Sequence, residues 1–340
     1  MTEHHRDIVV IGAAAGGVQA LQRLVAALPG DLPAAIFVVL HIWPGSESLL
    51  PAILARAGTL PVVDAMDGAR IQPGTLMVAP SDMHLMVDYD HVIVNRGPRE
   101  NRARPAINPL FRSAARAFRE RVIGVILTGT LDDGTAGLWA IKECGGIAIV
   151  QSDAQFDEMP RCARENVAVD YHVPLDEIPK LLGRLTREHV ELSPVKSVPK
   201  KIRVEEEAAK MKPPQFNLDE IGQRSIFTCP ECNGALWEID EGGLQYRCHV
   251  GHAYSAAALK QDQLAGIEHS LWSALRALKE SAALDARLAD RAREHNLDKA
   301  EEQHRNNASA KMEHAARLQE FVAQLRAERG PTGEGGRRDR

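Results

Sequence analysis

The sequence is poor in aromatic residues and has no apolar segment long enough to cross a bilayer. Phe, Trp and Tyr make up only 4% of its 340 residues. The longest apolar run near the N-terminus, residues 8–18, covers about 11 residues, whereas a membrane-spanning helix needs roughly 20. The first seven residues also lack the basic and then apolar order of a secretory signal. We therefore expect a cytoplasmic protein without a membrane span.

Neither a strong excess of one charge nor an even set of cysteines is present. The formal charge is −5, from 41 Lys and Arg against 46 Asp and Glu. This balance argues against a general nucleic-acid binder, because such proteins usually carry an excess of basic residues. The five cysteines are an odd number and do not indicate a disulfide framework. In a reducing compartment, clustered cysteines more often bind a metal ion.

The first 187 residues alternate strand-like and helix-like segments. The chain is 44% hydrophobic, which suffices for a large core. Apolar, largely β-branched runs at 8–11, 35–40 and 122–127 predict buried strands of a parallel sheet, so the fold class is α/β. Further strands are predicted at 62–63 and 147–150, short hairpin-like strands within 68–95, and helices at 18–28, 48–57, 108–120 (capped by Asn108), 134–144 and 176–185.

Beyond residue 187 the composition changes. Residues 188–224 are polar and contain several prolines, so we interpret them, with the basic stretch 196–203, as a solvated linker. Residues 225–255 hold four candidate metal ligands. Residues 256–329 carry apolar stripes at helical spacing, which predicts a helical hairpin with candidate breaks at Asn296 and at Asn306-Asn307. Residues 330–340 are expected to form a disordered tail.

The helical segment has two interpretations. A charged helix with one apolar stripe is usually packed on its neighbour, and the alternative is the core of a dimer or a partner-binding arm. The sequence does not indicate an oligomeric state.

A glycine-rich turn follows the first predicted strand, with the sequence Gly12-Ala13-Ala14-Ala15-Gly16-Gly17. A dinucleotide-binding loop would need glycine at position 14 and an acidic residue near the end of the second strand, where His41 stands. We therefore expect no NAD or ATP binding. The glycines at 12 and 16 instead have the frame of a nucleophile elbow, a sharp strand-to-helix turn that exposes a serine.

The side chains that would assist such a serine also lie at strand ends. His41 follows the second strand, and Asp132 and Asp133 follow the strand at 122–127. Because reactive groups collect at the carboxyl ends of parallel strands, positions 14, 41 and 132 or 133 are expected to meet at one edge of the sheet. The alternative is that His41 is a structural histidine.

Several spaced motifs follow one another in residues 7–187. They are IGAAAGG at 11–17, LH at 40–41, PG at 73–74, APSDMH at 79–84, NRARP at 101–105, LF at 110–111, GVILTG at 124–129, DG at 133–134 and MPR at 159–161. With these motifs, residues 7–187 resemble the catalytic domain of the chemotaxis protein-glutamate methylesterase family. The resemblance implies a doubly wound α/β domain that hydrolyses γ-glutamyl methyl esters on methylated chemoreceptors, deamidates receptor glutamines in some members, and uses a Ser-His-Asp triad. The family's phospho-receiver is not expected before the first strand, so we expect no control by phosphorylation within the chain.

The family's triad maps onto His41 and Asp133, but its serine falls on Ala14. The backbone N–H of Ala15 would then face the developing oxyanion. Alanine cannot attack a carbonyl, so the resemblance implies an activity that is lost or very weak. A nearby hydroxyl (Ser46, Ser48, Thr128 or Thr130) is an unfavoured substitute. Ala14 indicates either a pseudoenzyme that binds a receptor or partner, or a deliberate replacement of the nucleophile.

The second chemical motif is a cluster of four metal ligands. Cys229, Cys232, Cys248 and His252 give the spacing C-x₂-C-x₁₅-C-x₃-H, which predicts a closed tetrahedral Zn²⁺ site of structural type. His252 is preferred to His249, because side chains of adjacent residues rarely converge on one ion. The alternative is a chance cluster of free thiols. Residues 225–255 resemble, more loosely, zinc-ribbon tails of some methylesterase-like proteins, and Cys144 and Cys162 are interpreted as packing residues.

Overall fold

The computed structural model describes residues 4–41, 49–192, 198–210, 216–240 and 243–328. These residues fall into two compact units, which divide between Lys260 and Gln261. Within the described ranges, no helix combines the length and the apolar character that a bilayer crossing requires.

A parallel sheet of seven strands forms the centre of the first unit in the described part of the chain. Its five inner strands are apolar and buried, as expected for a parallel sheet covered on both faces, whereas its two edge strands are partly exposed. The strand order across the sheet is β3-β4-β2-β1-β7-β8-β9. These strands are β1 (Ile8–Ala13), β2 (Ala35–Leu40), β3 (Val62–Asp64), β4 (Leu76–Val78), β7 (Val122–Ile126), β8 (Ile147–Gln151) and β9 (Tyr171–Val173), while β5 (His84–Asp88) and β6 (His91–Asn95) form a separate antiparallel hairpin.

Helices cover both faces of this sheet, so the doubly wound α/β fold is confirmed. One core cluster includes Leu24, Leu54 and Leu182, from three helices on one face. The other includes Phe111 and Leu138, from helices on the opposite face. The helices are α1 (Gly17–Ala27), α2 (Leu50–Ala57), α3 (Ile107–Phe118), α4 (Thr135–Glu143), α5 (Glu158–Asn166) and α6 (Ile178–Leu185).

One local prediction in this unit was wrong. Asn108 does not cap α3, because the helix begins at Ile107 and Ala106 occupies the cap position. The Asn108 side chain instead accepts a hydrogen bond from the Gly137 N–H at 2.7 Å and so joins α3 to α4.

The hairpin-like strands predicted within residues 68–95 are confirmed for β5 and β6, which pair antiparallel. The third strand of this segment, β4, is not part of a hairpin but pairs in parallel with β2 and β3 in the central sheet.

Part of the segment interpreted as a solvated linker is a packed helix, α7 (Lys200–Ala209). Ile202 and Ala208 are buried on it, and Glu206 pairs with Arg116 of α3. Lys201 is also buried, with its ammonium group 5.0 Å from the centre of the Trp139 ring. A linker of this composition was expected to remain in solvent. Instead, acidic residues of α7 form ion pairs with arginines of α3, and Ile202 packs in the core cluster that includes α3.

Four antiparallel strands follow in the same unit. They are β10 (Gln223–Thr228), β11 (Ala235–Asp240), β12 (Leu244–Cys248) and β13 (Ala253–Ser255), paired in that order. We call residues 223–255 the Cys/His module. Its small core contains Leu236, Tyr246 and Tyr254, and Leu259 from the helix that follows packs against them. The sequence Asp240-Glu-Gly-Gly243 predicts a turn between β11 and β12, and two of its residues, 241 and 242, lie outside the described part of the chain.

The helical hairpin is confirmed in the C-terminal part of the chain. Helix α8 (Ala256–Glu294) begins in the first unit, and α9 (Asp298–Glu328) follows after a reversal at Asn296, whose φ is +57°. Asp285 of α8 accepts hydrogen bonds from His304 and Lys311 of α9. The second predicted break, at Asn306-Asn307, is wrong, because both residues lie inside α9. The tail predicted at 330–340 lies outside the described residues.

A buried ion network joins the Cys/His module to the α/β domain. Glu100 accepts hydrogen bonds from Arg112 of α3 at 2.5 Å and from Arg247 of β12 at 2.9 Å. Glu205 of α7 lies 3.5 Å from Arg247. All four side chains are almost completely buried, so each charge depends on its partners for the solvation that water no longer provides. Burial raises the pKa of Glu100, but the charges of Arg112 and Arg247 outweigh this and lower it to about 2.

We predict that Glu100→Gln destabilises the protein by roughly 3–5 kcal/mol at pH 7, because it leaves buried arginines without a compensating charge. The folded-state pKa lies below the unfolded value of 4.5. The contribution is therefore complete above about pH 5 and is lost as the pH falls toward 2. Urea unfolding of both proteins from pH 7 downward measures it, and the difference between them should shrink below pH 5.

Glu188→Gln is the matched control. Glu188 pairs with Arg6 and Arg184 but is substantially exposed, so its loss should cost less than about 1 kcal/mol. Equal unfolding free energies for the two variants would contradict a network that depends on Glu100.

Candidate functional site

The glycine turn after β1 forms a tight elbow at the carboxyl edge of the sheet. The Ala14 N–H donates to the Thr128 carbonyl at 3.0 Å, and the Gly17 N–H donates to the Ala14 carbonyl at 2.9 Å. Gly16 has a φ of +73°, in the left-handed region that glycine adopts without steric cost. The Thr128 hydroxyl donates to the Ala15 carbonyl at 3.0 Å and so holds the turn from the β7 side. Ala14 is half-buried at this elbow.

His41 and Asp133 meet beside the elbow. His41 Nε2 lies 2.8 Å from Asp133 Oδ2. The backbone N–H of His41 donates to the Ala13 carbonyl at 3.1 Å. The His41 side chain is 24% exposed and that of Asp133 is 2% exposed. Asp133 engages Nε2, and no hydrogen bond joins the other ring nitrogen, Nδ1, to another residue that the structure describes.

Asp133 is held by donors from three different segments. Besides His41, the Ile107 N–H donates to Oδ2 at 2.6 Å and the Asn101 side-chain amide donates to Oδ1 at 3.1 Å. Burial by itself raises the pKa of Asp133, but the hydrogen bonds from His41, Ile107 and Asn101 keep that pKa below its usual value. Asp133 therefore stays ionised and accepts from the imidazole.

The two adjacent aspartates, which the strand pattern alone did not separate, have different surroundings. Asp132 does not contact His41 but accepts a hydrogen bond from the Ser255 hydroxyl at 2.7 Å. Burial, together with the neighbouring charge of Asp133, raises the pKa of Asp132. Asp133 is thus the aspartate that is placed to orient the histidine.

Two backbone donors at the elbow, the Ala15 and Gly16 N–H groups, make no hydrogen bond within the part of the chain that the structure describes. The Ala15 N–H directly follows position 14. Of the substitute hydroxyls, Thr128 is occupied in holding the turn and Thr130 is exposed. Ser46 and Ser48 lie outside the described residues.

The sequence does not indicate the part that Asn101 plays in holding Asp133. Asn101 is the first residue of a motif, and nothing in its local pattern links it to residue 133. Its φ of +49° is a conformation that asparagine tolerates better than most residues. The sequence likewise gives no indication of Ser255, which bonds to Asp132 and to Asn101.

The four predicted metal ligands lie together in the Cys/His module. The ligand atoms of Cys229, Cys232, Cys248 and His252 all lie within 4.8 Å of one another. The Cys232 and Cys248 sulfurs are 3.6 Å apart, and His252 Nδ1 is 3.5 Å from the Cys248 sulfur. A tetrahedral ion with metal–sulfur bonds of about 2.3 Å separates its sulfur ligands by roughly 3.8 Å, so this cluster could hold one metal ion.

Polar neighbours support the cluster from outside. Glu231 lies 3.3 Å from His252 Nε2, the ring nitrogen that faces away from the thiols. The Tyr254 hydroxyl lies 3.6 Å from the Cys229 sulfur and donates to Glu231 at 3.2 Å. Hydrogen bonds from Cys248 and then from His252 lower the pKa of Cys229, which favours the thiolate that a metal requires. His249 instead packs against the Trp237 ring.

Comparison with known proteins places residues 9–182 in the family model described as CheB methylesterase. The chain is 41% identical over 183 residues to protein-glutamate methylesterase/protein-glutamine glutaminase 2 of Anaeromyxobacter dehalogenans, covering 53% of this chain and 54% of the relative. A protein of the same name from Methanosarcina acetivorans is 37% identical over 191 residues, with 53% of each chain covered. The chain thus spans about half the length of these relatives.

A solved structure gives the same result for the fold. The Thermotoga maritima CheB methylesterase catalytic domain matches 53% of this chain and 98% of its own, with 34% identity and a TM-score of 0.51. The family match ends at residue 182, so α7, the Cys/His module and the helical hairpin lie beyond it.

The packing behind the elbow gives a stability prediction. A Cβ at Gly12 would lie 2.5 Å from Ile107 Cγ2, and the Ile107 N–H is a donor to Asp133. We predict that Gly12→Ala destabilises the protein by about 1–3 kcal/mol through this clash. Urea unfolding gives the change in free energy.

Gly266→Ala provides the comparison. Gly266 lies inside α8 with open space around an added Cβ, so alanine there should stabilise by up to about 1 kcal/mol through its higher helix propensity. A Gly12→Ala variant as stable as the parent would show that Ile107 moves aside without cost.

Proposed function

The chain belongs to the CheB methylesterase family, and from this premise we propose that its α/β domain is a protein-glutamate methylesterase site that lacks only the nucleophile. The observation that carries the proposal is the intact His41–Asp133 pair beside an elbow that bears Ala14. The proposed ligand is a γ-glutamyl methyl ester, or the corresponding glutamine, on a chemoreceptor.

Each residue of the site has a role in that reaction. Asp133 holds the imidazole of His41 in one tautomer and stabilises its positive charge. His41 Nδ1 accepts the proton of a hydroxyl at position 14 and returns it to the leaving methanol. The Ala15 N–H donates to the oxyanion that forms on the ester carbonyl. All of these groups are retained in this chain.

The missing group is the hydroxyl. A methyl group at position 14 cannot form the acyl-enzyme, so His41 has no proton to accept there. In a serine protease, loss of the triad serine costs on the order of 10⁶ in kcat, or roughly 8 kcal/mol of barrier. We propose that the protein with Ala14 turns over the family substrate very slowly or not at all.

We predict that Ala14→Ser restores hydrolysis, because the base, its orienting carboxylate and the oxyanion donor are already placed. Methanol release from a methylated chemoreceptor fragment, measured for both proteins, tests this. We expect turnover only in the variant, with a difference on the order of 10⁶-fold or limited by the detection threshold.

Two further variants control the result. Ala14→Ser combined with Asp133→Asn should lose most of the restored activity, because the tautomer of His41 is then wrong. Ala15→Ser places the same hydroxyl one residue away and should stay inactive. Equal turnover by the parent and Ala14→Ser would show that another nucleophile exists. Receptor binding without turnover by either protein would favour the alternative function, a non-catalytic adaptor.

We also propose that the Cys/His module holds one structural Zn²⁺. The support is the donor set, three thiolates and an imidazole with Glu231 on its outer nitrogen, which is the chemistry that zinc prefers. Four protein ligands complete the coordination, so the role is to stabilise a module with a small core.

We predict about one zinc ion per chain by elemental analysis, and a large loss of zinc in Cys232→Ser. A chelator should lower the unfolding temperature of the parent, because metal binding contributes to folding. Cys162→Ser removes a thiol outside the cluster and should leave both readouts unchanged. Less than half an ion per chain in the parent would contradict the assignment.

A further inference from the structure

One residue of the α/β domain bonds both to the triad aspartate and to the Cys/His module. The Asn101 N–H donates to the Ala253 carbonyl at 2.8 Å, and the Asn101 side-chain oxygen accepts from the Ser255 N–H at 2.8 Å. Its side-chain NH₂ group donates to Asp133 Oδ1 at 3.1 Å. Asn101 therefore transmits the position of β13 directly to the carboxylate that orients His41.

Other contacts fix the module against the same loop. The Ala253 N–H donates to the Arg99 carbonyl at 3.2 Å, which makes a short parallel bridge between the loop and β13. The Ser255 hydroxyl reaches Asp132, next to the triad aspartate. The buried pair of Glu100 and Arg247 lies between these contacts. The loop that carries Asn101 is thus bonded to the module through backbone, hydroxyl and ion-pair contacts.

The chemistry at position 101 is specific to asparagine. The residue must accept from one buried N–H and donate to one buried carboxylate with the same short side chain. Aspartate keeps the acceptor but places a second carboxylate against Asp133, and alanine removes both bonds. A left-handed backbone conformation at φ +49° further favours asparagine.

The metal cluster is adjacent in sequence to these contacts. Ala253 directly follows His252, and β12, which pairs with β13, ends at Cys248. The module has only a small apolar core, so its strands depend on the ligand cluster for their arrangement.

We propose that Asn101 is a positioning residue for the Asp133–His41 pair, and that the metal-loaded Cys/His module sets its position through Ala253 and Ser255. The inference rests on the proposed function, because that function gives the Asp133–His41 pair its catalytic role. The hydrogen bonds of the pair are present whether or not the protein turns over a substrate. The module is then a required part of the hydrolytic site rather than an independent appendage.

The test follows the ring N–H of His41 by NMR in the protein as it exists, with Ala14 in place. The His41 Nε2–H proton bonded to Asp133 should give a shifted and protected resonance in ¹⁵N-histidine-labelled protein. Asn101→Asp should shift or abolish this resonance, while the amide spectrum of the central sheet is retained. Asn307→Asp, the same change at an exposed position of α9, should leave it unchanged.

Removal of the metal with a chelator is the second arm. We expect the His41 resonance to change together with the amide signals of residues 223–255, while the signals of β1 and β7 persist. An unchanged His41 resonance in Asn101→Asp, or its survival after the module has lost its amide dispersion, would overturn the proposal. A resonance that changes only with general unfolding of the sheet would overturn it as well.

A kinetic arm separates this inference from the proposed function. In an Ala14→Ser background, Asn101→Asp should lower kcat on the order of 10²-fold with little change in KM, because it misplaces the catalytic pair and not the substrate. If Ala14→Ser shows no turnover but the NMR changes occur, the proposed function fails and the positioning role stands. If turnover is restored and Asn101→Asp leaves kcat unchanged, the positioning role fails and the function stands.

Discussion

The carboxylate of Asp133 is the constraint on which the carboxyl edge of this protein depends. A buried charge is tolerated only when donors replace the lost water. Three segments supply those donors: His41 after β2, the Ile107 N–H at the start of α3, and Asn101 in the preceding loop. The requirement to satisfy one carboxylate therefore fixes the relative positions of segments that are distant in sequence.

A second buried carboxylate extends the same principle to the C-terminal region. Glu100 adjoins Asn101 and is compensated by Arg112 from the α/β domain and Arg247 from the Cys/His module. Such networks are weak evidence for net stability, but removal of one member is costly because it leaves the others uncompensated. The shared carboxylate of Glu100 consequently joins the Cys/His module to the α/β domain.

The sequence predicted the parts of the fold that follow from local patterns. Continuous apolar runs indicated the central strands, and the glycines at 12 and 16 indicated the elbow. The sequence did not predict the packing of α7. Its acidic residues can be buried only because they pair with arginines of α3, and these come close only in the folded protein. The roles of Asn101 and Ser255 were not predicted for the same reason. Asn101 bonds to a residue more than 30 positions away, and Ser255 bonds to one more than 120 positions away.

An intact His41–Asp133 pair is not by itself evidence of turnover, because its hydrogen bonds also stabilise the folded edge. The Ala15 N–H is different, since no hydrogen bond joins it to another described residue. Under the proposed function, a substrate carbonyl at the elbow gains this donor whether residue 14 is serine or alanine. Ligand binding and bond cleavage are then separable, because only cleavage needs a hydroxyl at position 14.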